Sequence, residues 1–521
     1  MITSADIDLI LTNAIAAHQA GRMNEAETGY RTVLSRDADN AVALCQLGTL
    51  AAQLGHADAA RQLIERAIAV APTYPSALNA LGVLHASHGR EPAAEECFRK
   101  ALGLDGQAVE TMRNLGTLLV ATGRAAEALS YLERADAIAP GSPEITINYA
   151  AALAAHDRLE ESERLLRRVL AATPRNPTAM NNLAIVLQAQ GRIGDAIDSF
   201  KQAIVLSPEY ANAHYNLAIA LLLAGRYADG WREHEWRRRK TRTELSARRY
   251  DAPLWDGRER VKTLFVYAEQ GFGDMIQFAR FLPALRGRTD RIVFECTARL
   301  QRLLRDSSLT EAIELCASAP ASFDAHCGLM SLPHFFGIGV DEIAANARPY
   351  LVPEAALIAR WRAHLGPKTH HLRVGICWQG TPTFAADAQR SIPLRYFARL
   401  AALPGVQLIS LQKGTGSEQI AGFGAPLVDL GAKLDLDHAF VDTAAVIASL
   451  DLVITSDTSI AHLAGALGAP VWTLLAFAPD WRWMTGRDDT PWYSSMTLFR
   501  QSKRGNWNEV FERVALALQS M

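Results

Sequence analysis

Glycines recur along the first half of this chain at intervals of 34 residues or twice that interval, and this repeat constrains the fold more than any other feature. Glycine suits the turn that ends a helix because it enters the left-handed backbone region without a Cβ clash. A small residue stands seven positions before each glycine, where it would let two antiparallel helices approach closely. The pattern therefore predicts stacked helical hairpins. The turn positions are Gly21, Gly55, Gly89, Gly123, Asp157, Gly191 and Gly225.

The repeated unit resembles the tetratricopeptide repeat, a pair of antiparallel helices. The pairs Leu47-Gly48, Leu81-Gly82 and Leu115-Gly116, each followed by regularly spaced alanines, carry this resemblance. It implies an all-α superhelix of about seven repeats over residues 7–240. Such a solenoid is a scaffold that holds another polypeptide.

Asparagine occupies the same position in four successive repeats. An amide there can donate to and accept from the backbone of an extended peptide, and asparagine is a poor residue for a helix interior. The arrangement resembles the asparagine ladder of protein O-linked N-acetylglucosamine transferases, which implies a peptide-binding concave groove. Alternatively, each amide bonds a neighbouring helix and fixes the angle between repeats. The residues of this asparagine ladder are Asn114, Asn148, Asn182 and Asn216.

Composition and charge exclude several classes of protein. The 521 residues carry a net charge of −2, which gives no general reason to expect nucleic acid as a partner. The six cysteines are scattered and form no zinc-like cluster, so they are expected to be reduced and buried. Asp6 and Asp8 stand where a signal peptide would be positively charged, and no apolar run could span a membrane. We expect a soluble, cytoplasmic protein.

The seventh repeat departs from the pattern, since Gly230 and His234 replace its expected alanine and aromatic residue. It runs into a basic stretch, residues 231–250. This stretch could face an acidic partner or lipid headgroups, or it could be a solvated helix and linker. We take residues 241–260 as the linker.

From Val261 onward, apolar segments alternate with amphipathic ones, which predicts the strands and helices of an α/β fold. Two such sets, joined by a linker, describe the two-Rossmann architecture called GT-B. We expect Rossmann-like domains over residues 261–365 and 366–505 and a return helix over residues 506–521 that crosses back onto the first set. Strands are predicted near 262–268, 291–296, 312–315, 372–378, 406–411, 427–430, 451–455 and 470–475.

A glycine-bearing loop follows the first of these strands, in the segment VYAEQGFGDMIQFARFLPAL at residues 266–285. A glycine such as Gly273 lets a ligand approach the backbone, and the N-terminus of a helix favours negative charge. The strand–GxGD–helix order resembles a loop of the bacterial heptosyltransferases (glycosyltransferase family 9). This resemblance implies that Asp274 lies at the interdomain cleft as the general base. Alternatively, Asp274 only caps the helix, and Glu269 is then the substitute base.

A second strand–turn–helix segment, DLVITSDTSIAHLAGALGAPVWTLL at residues 451–475, carries the sharpest functional signal. Thr458 and His462 stand one helical turn apart, and backbone N–H groups and hydroxyls at a helix start suit a pyrophosphate. The run from Asp457 resembles the nucleotide-sugar-binding motif of the heptosyltransferases, with Ser459 in place of the usual glycine. The alternative is that His462 is a core histidine beside a turn.

Several lesser features are expected at the same cleft. Gln379 follows a strand, where open α/β sheets place ligands, and Lys413 could neutralise a phosphate or be a solvated loop residue. Residues 479–493 include three tryptophans that could stack on a base or sugar, although core filling is their commoner role. Asp435-Leu-Asp437 has the form of a D-x-D metal motif, but GT-B enzymes generally do without that site.

These resemblances imply an acceptor-side domain over residues 261–365 and a nucleotide-sugar-binding domain over residues 366–505. We expect an enzyme that moves a sugar from a nucleotide-sugar donor to a Ser or Thr hydroxyl of a protein held in the repeat groove, without a metal or other cofactor. By analogy, flagellin or another bacterial surface protein is a candidate acceptor. One alternative is a lipid-linked or polysaccharide acceptor, and another is a non-catalytic adaptor whose transferase part is a relic.

Overall fold

The computed structural model describes residues 4–240, 245, 248–305, 307–311, 313–368, 372–382 and 387–521. The chain divides into two compact units, residues 1–186 and 187–521. The second unit therefore contains the end of the repeat region together with the α/β part, whereas the sequence suggested a boundary near residue 240. Among the described residues, no helix combines the length and the apolar character needed to cross a membrane.

The repeat region consists of antiparallel helix pairs, as predicted. Where the paired helices touch, the small residues leave no room for a side chain: a Cβ on Gly48 would lie 2.6 Å from Ile64. The turn glycines have positive φ, and Asp157 adopts the same conformation with a φ of 64°. The helices are α1 Ser4–Gln19, α2 Met23–Arg36, α3 Ala41–Gln53, α4 Ala57–Val70, α5 Pro75–Ser87, α6 Glu91–Leu104, α7 Val109–Ala121, α8 Ala125–Ile138, α9 Pro143–Ala155, α10 Leu159–Ala172, α11 Pro177–Ala189, α12 Ile193–Leu206, α13 Ala211–Leu223 and α14 Tyr227–His234.

Two parallel sheets follow the repeats. The first has the strand order β3-β2-β1-β4, and the second has the order β10-β9-β8-β5-β6-β7. In register, Leu264 of β1 lies opposite Ile292 of β2, and Val374 of β5 lies opposite Leu452 of β8. The strands are β1 Val261–Tyr267, β2 Thr289–Glu295, β3 Ile313–Cys316, β4 Ala325–Gly328, β5 Leu372–Cys377, β6 Val406–Ser410, β7 Val428–Asp429, β8 Leu452–Ser456, β9 Val471–Leu475 and β10 Met496–Arg500.

Helices connect these strands, and the last one corrects a prediction. The connecting helices are α15 Phe272–Ala279, α16 Ala298–Arg305, α17 Leu332–Phe335, α18 Val340–Ala345, α19 Ala355–Leu365, α20 Asp387–Arg390, α21 Ala398–Ala401, α22 Val441–Ile447, α23 Ser459–Ala466 and α24 Trp507–Gln519. The prediction that α24 crosses back to the first sheet is wrong. Phe511 and Val514 share a buried apolar cluster with Val374 and Leu408 of the second sheet. Helix α24 is the next element after β10 and packs on the apolar face of the second sheet, to which β10 belongs.

The last repeat is built into the α/β part. Trp231 of α14 donates from its indole N–H to the Ile338 carbonyl over 2.8 Å, and the Tyr227 hydroxyl accepts from Trp492 over 3.2 Å. Gly230 is required because a Cβ there would lie 2.7 Å from a Leu222 carbon. Tyr227 and Trp231 of the irregular seventh repeat thus contact the α/β part, whereas Gly230 allows close packing within the repeat itself.

Candidate active site

A cavity of ≈ 1150 Å³ lies where the loops after β1, β5, β6 and β8 meet. The carboxyl ends of parallel strands are the usual place for ligands in open α/β sheets. Most of the residues singled out in the sequence line this cavity together. They are Gly273, Asp274, Gln379, Lys413, Asp457, Thr458, Ser459 and His462.

The turn between β8 and α23 forms one wall of the cavity. Thr458 is the N-cap of α23, and its hydroxyl accepts from the Ile460 N–H over 3.3 Å. Asp457, next to it, is buried, and burial raises the pKa of its carboxyl to about 6, with a further contribution from the charge of Asp480. Ser459 opens the helix and also lines the cavity. The turn therefore presents a helix N-terminus beside a carboxyl group that titrates near neutral pH.

His462 has structural features of both alternatives that the sequence left open. Its ring is buried, stacks on Trp483 at 5.3 Å and lies 3.1 Å through Nδ1 from the Tyr493 hydroxyl. The ring nevertheless reaches the cavity wall. Burial, and to a lesser degree the positive charge of Arg482, hold the pKa of His462 well below its usual value. The imidazole is therefore neutral at physiological pH.

Asp274 faces this turn from the start of α15. One carboxylate oxygen accepts from the Gly271 N–H over 2.9 Å and completes a cap at the helix start, and the other accepts from the guanidinium of Arg482. Its side chain is 17% exposed. Burial raises the pKa of Asp274, while Arg482 opposes that shift. Asp274 thus caps the helix and also presents a carboxyl group to the cavity.

Arg482 is a site residue that the sequence analysis missed. It is buried and donates to Gln277 over 2.6 Å and to Asp480 over 2.8 Å, in addition to Asp274. Its guanidinium carbon lies 4.3 Å from the centre of the Trp481 ring. Arg482 therefore connects the segment after β9 to helix α15. The available signal was an arginine between two tryptophans, in a tract whose aromatic residues suggested stacking alone.

Gly273 lets two helices approach each other closely. A Cβ at this position would lie 2.8 Å from Cδ2 of His462 and 3.5 Å from the Cα of Ser459. The glycine therefore lets α15 approach α23, and because it also lines the cavity, its contact with a ligand stays a prediction. This contact joins the loop after β1 to the β8–α23 turn, and both segments line the cavity.

Glu269 lies away from the cavity. Both of its carboxylate oxygens accept from Arg237 over 2.9 Å, and one also accepts from the Met330 N–H over 2.9 Å. Its side chain is only 1% exposed. A buried, fully bonded carboxylate cannot take a proton from a substrate in the cavity, so its role as the substitute base is corrected to a structural one.

Gln379 and Lys413 both line the cavity, and each is held by its surroundings. The side-chain amide of Gln379 accepts from Gln419 over 3.1 Å, and its backbone is bonded in both directions by the amide of Gln412. Lys413 donates to the Asp435 carbonyl over 2.6 Å while its side chain stays exposed, so the neutralisation of a phosphate by Lys413 stays a prediction. Gln412, which the sequence analysis passed over, joins the loops after β5 and β6.

The three tryptophans of residues 479–493 mainly fill the core. Trp483 and Trp492 have no exposed surface, and Trp481 is 3% exposed. Among the three, only Trp481 reaches the cavity. Stacking of a base or sugar on Trp483 or Trp492 is therefore excluded because no face of either ring is accessible. Asp435 lines the cavity but uses its carboxylate to accept from Thr443 and from the Asp442 N–H.

Tyr215 and Ile219 of the last repeat also line the cavity. Both belong to α13, and neither was expected at the site because the repeats and the transferase part were treated as separate domains. The cavity wall is therefore completed by a repeat helix within the unit of residues 187–521.

The asparagine ladder forms hydrogen bonds within the repeats. In the unit of residues 1–186, Asn114 donates to Asn79 over 3.0 Å and Asn148 donates to Thr117 over 3.2 Å, in each case to the preceding repeat. Asn182 accepts from Asn181 over 3.2 Å. All four ladder positions stay partly exposed, Asn216 among them. Asn114 and Asn148 therefore connect neighbouring helices, whereas Asn182 bonds within its own helix, and peptide binding stays a prediction.

Comparisons with known proteins match two different parts of the chain. Residues 413–512 match glycosyltransferase family 9 (heptosyltransferase). Residues 45–143, 119–184 and 187–225 match tetratricopeptide repeats. Protein FlbA of Caulobacter vibrioides is 27% identical over 319 residues, which cover 56% of this chain and 52% of that protein. The chain thus spans about half of the length of this curated relative.

Solved structures resemble the repeat region. A tetratricopeptide repeat protein from Parabacteroides merdae is 15% identical with a TM-score of 0.38, covering 46% of this chain and 96% of that one. The pilF protein of Pseudomonas aeruginosa is 21% identical with a TM-score of 0.32, covering 39% and 88% of the two chains. By the family comparisons, the chain combines segments that match tetratricopeptide repeats with a segment that matches glycosyltransferase family 9 (heptosyltransferase).

Proposed function

We propose that this chain is a glycosyltransferase that moves a sugar from a nucleotide-sugar donor to a Ser or Thr hydroxyl of a protein. One observation carries the proposal: the β8–α23 turn, inside the family 9 match, faces the Asp274 carboxylate across a single cavity. A donor's diphosphate and an acceptor's hydroxyl would then meet between the two.

The β8–α23 turn is the proposed diphosphate site. The first backbone N–H groups of α23 have no partner within the helix, and the helix dipole favours an anion there. Burial raises the pKa of the Tyr493 phenol well above its usual value, so its hydroxyl stays protonated and can donate a hydrogen bond to Nδ1 of His462. The neutral imidazole then carries its own hydrogen on Nε2, which can donate to a phosphate oxygen.

Asp274 is the proposed general base. In the transfer, the acceptor oxygen forms a bond to the anomeric carbon as the bond from that carbon to the diphosphate oxygen breaks, and Asp274 takes the hydroxyl proton. A raised pKa favours this step because it brings the carboxylate closer to the pH at which it works. Arg482 orients the carboxylate. The step needs no metal, since the leaving diphosphate is stabilised by donors of the protein.

The repeat groove is the proposed docking site for a protein acceptor. Partly exposed amides at Asn114, Asn148 and Asn182 stand one repeat apart in the unit of residues 1–186 and could bond an extended backbone. Their bonds to neighbouring helices leave each amide further hydrogen-bonding capacity. A lipid or polysaccharide acceptor would make no use of this spacing.

The experiment measures hydrolysis and transfer with a panel of nucleotide sugars, using short peptides that contain Ser or Thr as acceptors. The Asp274→Asn variant should keep its affinity for the nucleotide and lose roughly 10²–10⁴-fold in turnover. The His462→Ala variant should instead lose affinity for the free nucleoside diphosphate, measured by calorimetry. Asp437→Asn, exposed and outside the cavity, is the matched control. Absence of hydrolysis and transfer with every donor would refute the enzyme and leave the adaptor alternative.

A further inference from the structure

Helix α13 brings two neighbouring side chains of the last repeat to the cavity. Tyr215 and Ile219 stand four residues apart, so they lie on one face of the helix. Both are partly buried and both line the cavity. Helix α13 contains Asn216 as well, so the wall belongs to the repeat that ends the asparagine ladder.

Tyr215 lies beside a cationic side chain and a buried imidazole. The ammonium of Lys240 is 4.1 Å from the centre of its ring, and the ring of His234 is 5.6 Å away. Burial raises the pKa of the phenol, and the charge of Asp480 contributes in the same direction. The hydroxyl therefore stays protonated at physiological pH and can donate a hydrogen bond.

The residue type at position 215 distinguishes the last repeat. Counting back by 34 residues, the preceding repeats have Asn181, Ile147, Arg113 and Asn79 where the last has Tyr215. An aromatic ring thus occurs at this position, among these five repeats, only where the helix borders the cavity. A regular solenoid gives no reason for that exception, whereas a cavity wall does.

The two walls of the cavity come from different parts of the chain. The proposed diphosphate site is formed by the turn after β8, and Gln379 and Lys413 beside it follow β5 and β6. Helix α13 packs instead against the short turn Trp481–Trp483, which contains Arg482, the partner of Asp274. Tyr215 and Ile219 therefore lie on the side of the proposed base, where an acceptor hydroxyl has to arrive.

We propose that Tyr215 and Ile219 form an acceptor subsite, which contacts the residues of the acceptor peptide that flank the modified Ser or Thr. This inference rests on the proposed function. The ring and the aliphatic side chain offer an apolar wall, and the phenol can donate to a peptide carbonyl. Acceptor choice then depends on the last repeat itself as well as on the groove of the earlier repeats.

The test compares wild type with Tyr215→Phe, Tyr215→Ala and Ile219→Ala in the full chain. The probe is a pool of synthetic peptides, each with one Thr and randomised flanking residues, together with the nucleotide sugar that wild type hydrolyses fastest. Mass spectrometry of the glycosylated peptides gives the flanking preference, and titration of one preferred peptide gives the acceptor KM. Val205→Ala, on α12 and 78% exposed, is the control. Tryptophan fluorescence checks that each variant is folded.

Tyr215→Ala should raise the acceptor KM about tenfold or more and change the flanking preference, because truncating an anchor residue removes its contact area. Tyr215→Phe should keep the preference if the ring supplies the wall, and Ile219→Ala should shift it at another flanking position. A purely structural role would lower the amount of active enzyme without changing the preference. An unchanged preference and KM in folded Tyr215→Ala and Ile219→Ala variants would overturn the subsite while leaving the proposed function standing.

Two further outcomes separate the subsite from the function on which it rests. Donor hydrolysis by wild type without any glycosylated peptide would overturn the peptide acceptor and the subsite with it. The absence of hydrolysis with every donor would refute the proposed transferase itself.

Discussion

Replacing Asp457 by asparagine should stabilise the unit of residues 187–521 at neutral and alkaline pH but hardly at all near pH 4. Burial raises the pKa of this carboxyl from 3.8 to about 6. In the window between pH 3.8 and about pH 6, the Asp457 carboxyl therefore keeps its proton in the folded chain but has released it in the unfolded chain. Wild type therefore loses stability as the pH rises through the window, and asparagine, which cannot ionise, avoids the loss.

The magnitude follows from the size of the shift. The folded and unfolded pKa values of 3.8 and about 6 differ by about 2 units, and each unit corresponds to about 1.36 kcal/mol. The variant should thus be more stable than wild type by about 3 kcal/mol at pH 8 and by well under 1 kcal/mol at pH 4.

Tryptophan fluorescence during urea unfolding is a suitable assay. All ten tryptophans lie between Trp231 and Trp507, so the signal reports only the unit of residues 187–521. Urea midpoints for wild type and Asp457→Asn would be compared from pH 4 to pH 8. Asp437→Asn, at an exposed position, should leave the midpoint unchanged. An equal gain at both ends of the range, or a loss at pH 8, would refute the reasoning from burial.

Three further predictions follow from the same contacts. Glu269→Gln should destabilise this unit by about 3–5 kcal/mol, seen in the same urea assay, because it breaks the buried pair with Arg237; a fully stable variant with lowered turnover would restore Glu269 as a base. Gly273→Ala should cost about 1–3 kcal/mol and lower turnover, since its Cβ would meet His462; unchanged kinetics would contradict the close approach. Replacing the ladder asparagines of residues 1–186 by alanine should abolish transfer to a protein acceptor while donor hydrolysis continues, and equal transfer would leave the ladder a structural device.

Much of the fold follows from local patterns in the sequence. The turn glycines predicted the helix pairs, and eight of the strands lie within about two residues of their predicted positions. Strands β4 and β10 were missed. The first is only four residues long and includes a histidine, and the second places an exposed threonine beside the aromatic tract. Both are defined by their neighbours in the sheet, which a local pattern does not contain.

The site was predictable where one motif contains it and unpredictable where distant segments meet. The run from Asp457 to His462 is a single turn, so its residues reach the cavity together. Glu269 and Asp274 flank one loop and look equivalent in sequence. Their partners distinguish them: Glu269 is buried in an ion pair with Arg237, whereas Asp274 pairs with Arg482 at the cavity. Those partners come from other parts of the fold.

The position of Tyr215 at the cavity was missed for the same reason, since it depends on contacts between distant segments. It also changes the interpretation of the repeats. Their sequence suggests an arm separate from the α/β part, but the unit boundary after residue 186 puts α12, α13 and α14 in the same unit as the α/β part. The segment containing Arg482 lies against α13, and Trp492 of the same tract bonds Tyr227. A change in the last repeat therefore acts directly on the residue that orients the Asp274 carboxylate. In this chain the last repeat is part of the candidate active site, which is a physical reason for its departure from the regular pattern.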